Sequence, residues 1–136
     1  MTRTLRLLFT VHAIATLAAA IVLVVAPAAI PTTVGIVIAP PAFVLCYLLA
    51  AAELSIGIFS WGARNLTDAK ALRLVVASVV VFHGASAILE LWAFVNGLSA
   101  RILANVVLRV VAVTLFAYYG IVRGWSLCHN RHSPAS

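Results

Sequence analysis

Charge is what this chain has least of. Its 136 residues include nine Lys and Arg and three Asp and Glu, 9% in all, where a soluble domain carries about 25%. So few charges cannot solvate the surface of a water-soluble fold of this length. Cysteine is scarce too: Cys46 lies inside an apolar run and Cys128 in a polar tail, a placement that gives neither a CxxC pair nor a zinc knuckle and excludes a disulfide framework. The net charge of +6 comes without a basic run, so nucleic acid is not the expected partner. No metal-ligand cluster and no nucleophile motif is present, and neither a metal nor another cofactor is expected.

What is present is apolar: 65% of the residues are hydrophobic and the mean hydropathy is +1.17. The solvent that suits such a chain is a lipid bilayer. A helix needs about 20 apolar residues to cross the hydrocarbon, so the chain has room for four passes and no soluble domain. The expectation is an all-α fold, one four-transmembrane-helix bundle over residues 1–125 with spans near 7–26, 42–61, 74–95 and 102–122, followed by a disordered polar tail over 126–136. Arg3 and Arg6 precede the first apolar stretch as in a signal peptide, but that stretch reaches Ile30, longer than a typical signal core, and reads as a retained helix. Pro27, Pro31, Pro40 and Pro41 bound a first connection, 28–39, that reads as an extended loop or a short interfacial segment. Asn96, Gly97 and Ser99 make a tight turn.

Sidedness follows from the cations. Arg3, Arg6, Arg64, Lys70, Arg73, Arg123 and Arg131 fall on one side of these spans, Arg101 alone on the other, and Arg109 lies inside the fourth span. By the positive-inside rule both termini and the middle loop are expected in the cytoplasm, and in a bacterium the membrane would be the cytoplasmic one. Trp61, Tyr118, Tyr119 and Trp125 suit the inner aromatic belt. A faint echo, Leu5-Arg6-Leu7 before His12 and Leu72-Arg73-Leu74 before His83, is compatible with a two-plus-two repeat, although it leaves the histidines four residues out of register.

Ionisable residues inside a span are expensive, roughly 2.5–3.5 kcal/mol each on insertion scales, and need a partner or a purpose. Depth separates their roles. Glu90 and Arg109 both fall in the outer half, one turn from Asn105, and read either as a structural ion pair or as the polar floor of a site. Glu53 sits near the midplane without a cation at its level, where a carboxyl is cheaper to hold as the neutral acid. His83 lies at nearly the same depth and is the natural hydrogen-bond partner of Glu53. His83 and Glu90, seven residues apart, share a helix face, so Glu53, His83 and Glu90 are the candidate catalytic residues. Tyr47, Trp92, Asn105 and Arg109 are the candidate substrate-binding residues, the aromatic faces steadying a developing cation. His12, five residues into the first span, reads as a satisfied histidine close to cytoplasmic water.

Chemically, a neutral Glu53 in a greasy pocket is a general acid for an alkene or epoxide, tuned by His83, with Glu90 accepting the proton at the end. This points to an integral membrane enzyme for cyclisation or isomerisation of a lipophilic, isoprenoid-like small molecule in the bilayer. The alternative is a proton-coupled transporter, a homo-oligomer because four helices need a second copy to enclose a path. A third reading, a b-type haem clamped by His12 and His83, needs both imidazoles at one level, whereas counting puts His12 near the inner surface and His83 near the middle.

The Pro-punctuated first loop, the middle loop Gly62-x-Arg64-Asn65 and the ending Tyr118-Tyr119-Gly120 together resemble the small four-helix DoxX-like membrane proteins over the whole chain. That resemblance implies the bundle and no assigned activity. Glu53 and Glu90 look like the pocket carboxylates of integral membrane terpene cyclases, a resemblance that implies acid-initiated cyclisation.

Overall fold

The computed structural model describes residues 1–122; the tail expected over 126–136, together with Arg123 and Trp125, lies outside the described residues. Helix α1, Arg3–Val25, opens on Thr2, whose hydroxyl accepts from the Leu5 N–H at 3.2 Å and satisfies one of the free donors of the first turn. It closes at Ala26, which the following Pro27 forces out of helical geometry. The first connection contains a short helix, α2, Ala29–Thr33, and then runs extended into a 3-10 turn, Pro40–Ala42. The fixed φ of proline starts α3, Phe43–Ala63, from that turn. Asp68 caps α4, Ala69–Val95, accepting from the Ala71 N–H at 2.6 Å. Helix α5, Ile102–Phe116, passes into a π turn, Ala117–Val122.

Four of these segments are long and apolar enough to cross a membrane, and no strand occurs among the described residues. α1 and α4 begin about a turn earlier than hydropathy alone implies, because each runs on to its capping residue. The helices form a ring in the order α1, α3, α4, α5. α1 packs closely on α3, and α4 on α5, while the two pairs touch only lightly, α3 against α4 and α1 against α5. Side chains such as Leu74, Ile88, Val95 and Val107 lie on the outside at 60% exposure or more. An apolar surface of that extent is tolerable only against lipid tails.

The two ends of the ring differ. At the end holding the N-terminus, Leu5, Phe9, Ala63, Val76, Val79 and Phe116 form a closed core, and the Arg6 guanidinium donates to Asn65 Oδ1 at 3.0 Å. At the opposite end α2 and the extended strap after it lie over Leu23, Cys46 and Ala50 through Ile30 and Ile38, and the bundle beneath is hollow. The strap meets the α4–α5 turn at Gly35, whose φ is +81° and whose missing Cβ would fall 2.8 Å from Ser99 Cβ. A side chain at Gly35 is excluded twice, by backbone conformation and by space.

Gly120 is the tightest point of the packed end: a Cβ there would lie 2.7 Å from both methyls of the fully buried Val76. Val76 is β-branched and confined to one χ1 well in a helix, so it cannot swing aside. Gly120→Ala should cost roughly 1–3 kcal/mol through overpacking, read as a fall in melting temperature in detergent. Gly62→Ala, with nothing within 4 Å of its Cβ, should leave the melting temperature unchanged or slightly raised, and equal losses for the two would refute the packing account.

Candidate functional site

A continuous polar chain crosses the interior between the closed end and the hollow end. Ser60 on α3 meets His12 Nδ1 on α1 at 2.8 Å, and His12 Nε2 meets His83 Nε2 on α4 at 2.6 Å. His83 Nδ1 lies 3.3 Å from the Arg109 Nη1 on α5, and Arg109 Nε donates to Glu90 Oε1 at 2.8 Å. Asn105 Nδ2 donates to the same oxygen at 2.7 Å. His12, Ser60 and His83 are buried, and the Phe116 ring closes over His12 edge to face at 5.2 Å.

The proton positions follow from one fixed donor. A guanidinium has no acceptor, so the Arg109 N–H donates to His83 Nδ1, which must be bare. His83 therefore carries its proton on Nε2 and donates to His12 Nε2, and His12 carries its own on Nδ1 and donates to the Ser60 hydroxyl oxygen. Two neutral rings of opposite tautomer result. A second proton on either ring would set donor against donor.

Above this chain lies a cavity of about 720 Å3, within the range of roughly 300–1,000 Å3 usual for small-molecule sites. Its walls are aliphatic side chains from all four spans and the strap, and its polar lining includes Glu53, Glu90, Asn105 and Arg109. Glu53 is the midpoint of α3, 8% exposed, and makes no hydrogen bond among the described residues. Arg109 and Glu90 are the charged groups that act on it through space. Glu90 spends one oxygen on Arg109 and Asn105, whereas its Oε2 is buried without a partner. Leu45, Leu89 and Leu108 line the cavity yet are more than half exposed, so it opens sideways toward lipid.

Of the residues expected from the sequence, Glu53, Glu90, Asn105 and Arg109 come together on this cavity. The Glu90–Arg109 pair with Asn105 on the spare side is present as a salt bridge, its partners 18% and 13% exposed. His83 does not bond to Glu53, because both ring nitrogens are taken by His12 and Arg109. Tyr47 and Trp92 lie on the outer faces, 46% and 68% exposed, outside the cavity, and no aromatic side chain lines it. His12 is not near water but at the centre of the bundle. Helix α4 spans 27 residues, about 40 Å at 1.5 Å per residue; it projects past the hydrocarbon at its start and brings His83 level with His12. The two Nε2 atoms nevertheless leave no place for an iron, which at about 2 Å per metal–nitrogen bond needs about 4 Å between them. Ser60, seven residues from Glu53 on the same face of α3, went unread; the two-turn spacing that links His83 to Glu90 was its one signal.

Comparison with protein-family models, with curated proteins and with solved structures finds no match to the chain. What the site does has to be argued from its own geometry.

Two outcomes follow from the chain. Nitrogen NMR of the protein in bilayers should find two neutral imidazoles of opposite tautomer, His83 protonated on Nε2 and His12 on Nδ1; like tautomers, or a charged ring at neutral pH, would contradict the donor order. Arg109→Ala strands Glu90 and should cost roughly 3–5 kcal/mol, while adding Glu90→Gln should recover part of the loss because no buried charge is then left alone. Equal melting losses for the single and double variants would remove the ion pair as a stabilising unit.

Proposed function

We propose that the protein is an integral membrane enzyme that performs acid–base chemistry, cyclisation or double-bond isomerisation, on a lipophilic isoprenoid-like molecule held in the cavity. The observation that carries this reading is the unequal setting of two carboxyls on one aliphatic cavity. Glu90 is gripped by Arg109 and Asn105, and Glu53 has no hydrogen-bond partner among the described residues. Two carboxyls in contrasting surroundings take different roles, one as acid and one as base.

Glu53 gives its proton to an alkene carbon, and the alkene's π pair forms the new C–H bond. The neighbouring carbon is left as a cation, which either closes a ring with a second alkene or passes directly to the last step. A C–H proton then leaves to the Glu90 carboxylate, which turns its buried Oε2 toward the cavity to take it, and the electron pair of that bond forms the product's double bond. Glu53 finishes as carboxylate and Glu90 as acid, and a proton passed back between them resets the site. With Tyr47 and Trp92 on the outer faces and no aromatic among the described residues that line the cavity, charge on the cation is balanced by the carboxylates. Substrate enters from the lipid through the side opening, so it never has to cross water. The cyclase-like carboxylates support this reading as a resemblance, the DoxX-like plan bears on the bundle alone, and the distribution of cations supports an orientation with both termini and the 64–68 loop in the cytoplasm.

The test is incubation of detergent-solubilised protein with linear and epoxidised isoprenoid substrates, with mass and retention analysis of the products. Glu53→Gln should keep the fold and melting temperature and lose activity by roughly 100-fold or more; His83→Ala, which only positions Arg109, should lose less. A fully active Glu53→Gln protein sinks the mechanism. A wild type inert to every substrate, but moving lipophilic solutes in vesicles with a proton dependence that Glu53→Gln abolishes, establishes the transporter instead.

A further inference from the structure

Arg101 is the one cation that lines the cavity from its outer end. As the residue that precedes α5 it continues the line of Asn105 and Arg109 at a spacing of four residues, all on the cavity wall, and so stands about 12 Å from the level of Arg109. The chain's three acids leave it without a partner. Asp68 caps α4 at the opposite end, Glu90 is held by Arg109, and Glu53 lies at the midpoint of α3. The mouth around Arg101 is also a built structure. The Arg101 N–H donates to Ser99 Oγ at 3.4 Å, and Ser99 is the residue on which the strap presses at Gly35. Pro31, Thr33 and Val34 complete the rim.

A cation at the rim, an aliphatic wall below it and carboxyls at the bottom form an ordered sequence along one cavity. We infer that the cavity takes a single-chain amphiphile with an anionic head, a carboxylate or a phosphate ester, with its head on Arg101 and its chain reaching down to Glu53. The opposite arrangement is disfavoured at both ends: an anion at the bottom would have to compete with Glu90 for Arg109, which is already held in a salt bridge, and a hydrocarbon end at the rim would desolvate Arg101. A guanidinium fork matches either anion with two parallel hydrogen bonds. The inference rests on the enzyme reading for what happens to the chain, since it puts the reacting bonds remote from the head, but the binding itself does not depend on any conversion.

The experiment measures binding of a fluorescent long-chain carboxylate, the matching alkyl phosphate and the matching alcohol to the protein in phosphatidylcholine nanodiscs. The two anions should bind at least tenfold tighter than the alcohol. Arg101→Gln should bring all three within about twofold, Arg101→Lys should keep a preference for the anions, and Glu53→Gln should retain the wild-type preference while losing turnover. Equal binding of anion and alcohol to the wild type, or a preference that survives Arg101→Gln, overturns the inference. So does loss of the preference when phosphatidylglycerol is added to the discs, which would assign Arg101 to the headgroups of the bilayer. Selective binding without conversion leaves the inference standing and removes the enzyme reading; conversion of a neutral substrate without selective binding does the reverse.

Discussion

Inside hydrocarbon no water is present to complete a hydrogen bond, so every polar side chain that enters the bundle must find its partner on another helix. The chain Ser60, His12, His83, Arg109, Glu90 and Asn105 answers that requirement with members on all four spans. Its middle link runs between α1 and α4, helices on opposite corners of the ring whose backbones do not come close. The two tight pairs, α1 with α3 and α4 with α5, touch lightly elsewhere, and lipid supplies no hydrophobic drive to push them together. The polar chain and the Phe9–Phe116 contact, with ring centroids 5.1 Å apart, therefore set how the pairs stand. One end can close around that seam while the other stays open.

Four spans were legible because their apolar runs are long; the starts of α1 and α4 were not, because Thr2 and Asp68 cap each helix about a turn before its apolar run begins. The depth of Glu53 was legible from simple counting, since the cost of a carboxyl depends on how far it is from either surface. The pairing of Glu90 with Arg109, and of Asn105 with Glu90, came from the same counting along two antiparallel helices. What could not be read was which face of each helix points inward. In a membrane the lipid side and the protein side are both apolar, so Tyr47 and Trp92 carry no mark that places them on the outer face, where the structure has them. The His12–His83 contact was hidden by a different cause: counting from similar Leu-Arg-Leu starts assumes helices of one length, and α4 is longer than α1 by four residues.

Polar atoms left over after the chain is complete are few among the described residues, and they belong to two residues of the cavity wall. Glu90 Oε2 and the Glu53 carboxyl find no partner among the described residues, whereas the histidines, Ser60, Asn105 and Arg109 do. In water such remainders would be solvated and carry no meaning. Within a bilayer an unpaired buried acceptor costs free energy, and the cost is withdrawn only when something with a donor or a positive charge enters. A carbocation formed on a bound chain meets that description, and so does the proton that leaves it. The unpaired carboxyl oxygens at the bottom of the cavity and the chemistry proposed for it therefore share one electrostatic cause.

Arg109 then acquires a role beyond fastening α4 to α5. In the proposed step the site begins with Glu53 neutral, Glu90 negative and Arg109 positive, and ends with Glu53 negative, Glu90 neutral and Arg109 positive. The sum is zero at both stages. A proton has crossed the cavity by way of the substrate, and the negative charge has moved the other way past a cation that stays in place. Creating a net charge in a medium of low dielectric is costly, and two charges a few ångströms apart interact far more strongly there than in water. With Glu53 alone the proton would have to return to the carboxylate that gave it, whereas a second carboxylate on the cavity can take it from another position of the chain while Arg109 stays close to the negative charge at both stages.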